Sequence, residues 1–86
     1  MNSTSTADRL RTALLALQPT LLEIEDDGAR HAGHAGAREG GHFNVTIASA
    51  LFASVPALER HRMVYAAAAE LMGREIHALS IDARSP

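Results

Sequence analysis

The chain has 86 residues and a formal charge of −2, its eight basic side chains are all arginine, and it has no cysteine. That size predicts one small domain burying roughly 60% of the surface its unfolded chain exposes, with a core drawn from a 47% apolar content that includes 17 alanines and no tryptophan. The charge excludes an electrostatic footprint for non-specific nucleic-acid binding, and the missing thiols exclude a disulfide scaffold, a cysteine nucleophile, a cysteine zinc site and a self-sufficient iron–sulfur site. No apolar stretch reaches the roughly 18 residues of a membrane span, and MNSTSTADRL has no signal-peptide pattern, so the expectation is a soluble, cytoplasmic protein without membrane contact.

Helix one is expected over about residues 6–17, with Thr6 as its N-cap and Leu10, Ala13, Leu14 and Leu17 at helical spacing. Gln18-Pro19 ends it, because proline disfavours helical geometry in the residue before it. Residues 20–27, TLLEIEDD, alternate as a half-buried strand that ends in an acidic turn. The next stretch, GARHAGHAGAREGG, holds five of the six glycines and reads as a long functional or mobile loop. HFNVTIA alternates again, with Phe43, Val45 and Ile47 on one face and His42 on the other, which predicts an antiparallel hairpin.

A single helical turn capped by Ser49 follows. A long helix is then expected over about 55–72, capped by Ser54, with Leu58, Val64, Tyr65, Ala68, Leu71 and Met72 on its buried stripe and Gly73 closing it. Residues 75–83, EIHALSIDA, read as a third strand. The order is α-β-β-α-α-β, and the economical arrangement is a single α+β domain, ordered over about 6–84, with a three-stranded sheet covered by helices on one face.

The five histidines are the unusual chemistry. His61 lies between Leu58 and Val64, which fits a core or boundary histidine; the flanking Arg60 and Arg62 fit contacts to phosphate. His77 shares the parity of Leu79 and Ile81, so pattern alone allows a core position. His42 points away from the core. His31 and His34 stand three residues apart in HAGHAG, where packing requires no imidazole. They fit either a solvated loop or ligands for a borderline metal. No nucleophile is paired with a base, and Glu23, Glu25, Asp26 and Asp27 read as a solvated strand edge and turn, so the residues describe a binding module and not an enzyme.

LLEIEDD, HAGHAG, HFNVTIAS, the Phe52 turn, ERHRMVYAAAAELM and IHALSI stand in the order and spacing of the BolA family. The resemblance runs from about Leu10 to Pro86. It implies a fold like the type II KH arrangement with a helix-turn-helix-like element. It also implies pairing with a monothiol glutaredoxin to share a bridging [2Fe–2S] cluster for iron–sulfur trafficking or iron homeostasis, or, alternatively, DNA binding as a transcriptional regulator. The family's cluster-ligand histidine matches His77, its loop ligand matches His31 or the neighbouring His34, and its basic DNA-binding motif matches Arg60, His61 and Arg62. The chain departs from the family pattern at Gly28, at Gly41, where a threonine is common, and at Ser54, where a glycine is common. A chain with imidazoles and no thiols would contribute nitrogen ligands while its partner supplies sulfur, and such ligands must be neutral to bind. Alone, the protein is expected as a monomer or a loose homodimer.

Overall fold

The computed structural model describes residues 5–27 and 41–86. Helix α1 (Thr6–Leu14) starts at Ser5, whose hydroxyl accepts from the Asp8 N–H at 3.1 Å while the Asp8 carboxylate accepts from the Ser5 N–H at 3.4 Å. This capping box satisfies two donors reciprocally. The cap is therefore one residue earlier than expected, and the Thr6 hydroxyl instead donates to Glu75 Oε1 at 3.2 Å. Leu10 and Leu14 are fully buried on the inner face of α1. The last expected turn, Leu15–Leu17, is a 3-10 turn, and Gln18 at φ 55° takes the chain into Pro19.

Strand β1 (Pro19–Asp26) pairs antiparallel with β2 (His42–Ser49), with Leu22 opposite Ile47 and Ile24 opposite Val45. Strand β3 (Ala78–Arg84) pairs parallel with β2, with Phe43 opposite Leu79 and Val45 opposite Ile81. The sheet order is β1-β2-β3. Alternation puts Phe43, Val45 and Ile47 in the core, and the other face carries the rows Glu25, Asn44, Ser80 and Glu23, Thr46, Asp82. One face of the sheet is thus apolar and covered, and the other is polar.

The junction after β2 is held by Ser49, which is fully buried. Its hydroxyl donates to the Leu17 carbonyl at 2.6 Å and accepts from the Leu51 N–H at 3.0 Å, joining the end of the first helix to the 3-10 turn Ala50–Phe52. Phe52 fills the centre of the core at 0% exposure. Ser54 adopts φ +62°, a left-handed conformation that costs any residue with a Cβ, so it shapes the turn and does not cap the next helix.

Helix α2 runs Ala57–Ala67 from Pro56, shorter at both ends than expected. Its inner stripe is Arg60, Met63, Val64, Ala67 and Ala68. Leu58 is 62% exposed, because at 3.6 residues per turn it lies about 120° around the helix from Val64. After Ala68 the chain winds back through successive turns so that Ile76 reaches the core. Gly73, at φ +80°, serves that reversal, with its N–H donating to the Ile76 carbonyl at 2.8 Å, and does not terminate α2. Among the described residues no helix is long and apolar enough to cross a membrane.

Phe52→Ala should lower stability by about 3–5 kcal/mol, seen as a lower urea midpoint at unchanged slope. Ser54→Gly should raise stability by about 0.5–1 kcal/mol, seen as a higher urea midpoint, because relief of left-handed strain exceeds the added unfolded-state entropy of glycine.

Candidate functional site

The parallel pairing of β2 and β3 brings their first residues to the same end of the sheet, and β1 finishes there. Asp26 and Asp27, Gly41 and His42, and His77 and Ala78 therefore share one edge. The segment 28–40, with His31 and His34, leaves β1 and returns to β2 at this edge; those two histidines lie outside the described residues.

His77 ends the reversal after α2 and stands immediately before β3. It is exposed, not a core residue, because the strand begins at Ala78 and the first inward position is Leu79. Its backbone N–H donates to the Gly41 carbonyl at 2.8 Å, and the Ala78 N–H reaches the same oxygen at 3.2 Å. Among the described residues nothing bonds to the His77 ring nitrogens. An exposed imidazole with its backbone fixed and its nitrogens uncommitted suits a ligand to a shared metal centre. Among the described residues no cluster of three or more His, Cys, Asp or Glu side chains could hold a metal ion, so any such centre needs donors from elsewhere.

The turn before His77 is tied to α1 by Glu75. Its Oε1 accepts from Arg9 Nε at 2.8 Å, from Arg9 Nη2 and from Thr6 Oγ1. The Arg9 hydrogen bond holds the Glu75 carboxyl below the ordinary glutamate value against a smaller opposing effect of desolvation. The contact joins residues 66 positions apart, a separation that leaves no periodic signal in the sequence.

The basic trio of α2 does not form one surface. Arg60 turns inward: its Nε donates to the Val55 carbonyl at 2.7 Å and its Nη1 to the Ala83 carbonyl at 3.0 Å. Arg62 is exposed and paired with Glu59 at 2.9 Å. His61 is exposed, not at a core boundary. Tyr65, one turn beyond, donates its hydroxyl to the Leu79 carbonyl at 3.2 Å. Arg60 and Tyr65 thereby bind two carbonyls of the edge strand β3 to the helix that crosses it. An open groove of about 510 Å³ between α1 and the end of α2 is lined largely by alanines, with Arg9, Thr12 and Glu70 as its polar groups.

The model of the BolA-like protein family matches residues 14–86. The chain belongs to this family. It is 42% identical to human BolA-like protein 1 over 71 residues, 83% of this chain and 50% of that protein. It is 39% identical over 66 residues to the DNA-binding transcriptional regulator BolA of Escherichia coli K12, covering 77% of this chain and 61% of that protein. The solved structure of BolA1 from Arabidopsis thaliana superposes with a TM-score of 0.84 at 39% identity, covering 99% of this chain and 96% of that one. The chain spans about half the length of the BolA-like protein 1 relatives it matches.

Replacing Arg60 by alanine should cost about 2 kcal/mol in urea denaturation, through loss of charge-assisted bonds to two backbone carbonyls. Arg62→Ala, at an exposed ion pair, should stay within about 0.5 kcal/mol of the unmodified protein.

Proposed function

We propose that this BolA-like chain is a non-enzymatic adaptor that pairs with a monothiol glutaredoxin and supplies imidazole nitrogen to a bridging [2Fe–2S] cluster, in iron–sulfur trafficking or iron homeostasis. The observation that carries this reading is the exposed imidazole of His77, uncommitted among the described residues, at the edge where the segment bearing His31 and His34 leaves and re-enters the sheet. With no cysteine in the chain, its contribution is nitrogen from His77 and from His31 or His34, while the partner side provides thiolate. When bound, such a cluster supplies one-electron chemistry whose potential rises as imidazole replaces thiolate.

The chain's own residues give this role a rigid base. The Gly41 carbonyl holds the His77 backbone, and Glu75 holds the preceding turn to α1 through Arg9 and Thr6. Neutral imidazole must be the donor, so protonation of a histidine ligand opposes the complex.

The second reading, a DNA-binding regulator, draws on the name of the E. coli relative and on the exposed Arg62 and His61. Against it, the Arg60 guanidinium is spent on backbone carbonyls and Arg62 already faces Glu59.

Reconstituting the cluster between this protein and a monothiol glutaredoxin and comparing visible absorption and circular dichroism with those of the His77→Ala variant tests the first reading. A changed spectrum and faster cluster loss are expected. An unaltered spectrum removes His77 as a ligand. Duplex DNA titrated at two salt concentrations tests the second; salt-sensitive binding weakened by Arg62→Ala would support it, and no binding would eliminate it.

A further inference from the structure

Gly41 and Gly73 both have left-handed backbones near His77, but their surroundings differ. Gly41 has φ +77°, and a Cβ built on it would lie 2.6 Å from the Glu75 carbonyl oxygen, 2.9 Å from the His77 Cδ2 and 3.1 Å from the His77 backbone nitrogen. Gly73 has φ +80°, and a Cβ there would meet nothing within 4 Å. The first position is therefore restricted twice, by conformation and by contact, and the second only by conformation.

We propose that Gly41, which stands where the family commonly has threonine, is the positioning residue for the His77 imidazole in the left-handed backbone that this chain adopts there. Its bare Cα lets the first residue of the returning chain close against the Cδ2 edge of the ring. Its carbonyl, accepting from two successive N–H groups at 2.8 and 3.2 Å, fixes the backbone from which the ring projects. The Glu75 carbonyl opposite belongs to main chain anchored to α1 through the Glu75 side chain, so it does not yield cheaply to an added methyl group. Turning the ring would relieve the 2.9 Å contact but not the 2.6 Å approach to that oxygen, so an added methyl group would shift the main chain around residue 41 and displace the ring with it. Groups that orient a metal-ligating histidine commonly change metal affinity by roughly 10–100-fold when altered.

This inference rests on His77 as a cluster ligand, and its test separates the two ideas. In the unmodified apo protein, NMR should show a strong nuclear Overhauser effect between the Gly41 α-protons and His77 Hδ2. Its absence would overturn the positioning claim without any variant. Gly41→Ala and Gly73→Ala should both lose stability through the left-handed penalty, but only Gly41→Ala should shift the His77 ring resonances. In the glutaredoxin complex, Gly41→Ala should weaken cluster retention roughly 10-fold or more relative to Gly73→Ala. Equal ring shifts and equal retention in the two variants would refute the positioning role. If His77→Ala leaves the cluster spectrum unchanged while the ring shifts still appear, the ligand reading fails and the contact between Gly41 and His77 stands.

Discussion

The parallel pairing of β3 with β2 organises the molecule. Two neighbouring strands running in the same direction cannot be joined by a tight turn, so the chain must cross from the far end of the sheet back to its start. Here the crossover is the 3-10 turn, α2 and the reversal from Ala68 to His77, and the apolar side of that path closes the core over Phe52, Val64 and Ile76. The same geometry sets the starts of β2 and β3 side by side. His77 meets Gly41 because a parallel register places them there, with His42 opposite Ala78.

That arrangement explains why groups suggestive of binding turn out to hold the fold. A crossover helix over an edge strand leaves carbonyls of that strand in need of donors. Arg60 and Tyr65 serve Ala83 and Leu79 from successive turns of α2. The Arg60 guanidinium stiffens the strand that begins beside His77, at the expense of a phosphate-facing charge. Arg9 does similar work at the other end of that path, locking Glu75 to α1. His77 remains as an exposed side chain whose backbone is secured on both sides and whose ring nitrogens are uncommitted among the described residues. This contrast between a fixed frame and a free donor is what favours the adaptor reading over the nucleic-acid one.

Much of the fold is legible in the residues. Alternation in LLEIED and HFNVTIA marks two strands and their buried faces, and Leu10, Leu14 and Leu17 mark the first helix and its closing turn. The second helix is harder. Its apolar residues thin out into a run of four alanines, Ala66 to Ala69, whose spacing defines no sharp stripe, so Leu58 reads as buried and Arg60 as exposed when the reverse is closer to the structure. The same run of alanines hides the helix end at Ala67, which is decided by the need to return Ile76 to the core. Ser54 shows a related failure: serine is a common helix cap, and nothing local reveals that the turn after Phe52 demands a positive φ.

The residues alone determine the order of the elements, the inward faces of the first two strands and the absence of thiol ligands, since these follow from local periodicity and composition. The attitude of His77, the inward use of Arg60 and the clasp between Arg9 and Glu75 come only from the tertiary structure. Each joins groups far apart in the chain through hydrogen bonds whose partners are chosen by strand register and helix rotation. The left-handed turn at Gly41 belongs with them, because the glycine there is required by the approach of main chain from residues 75 to 77, more than thirty positions away.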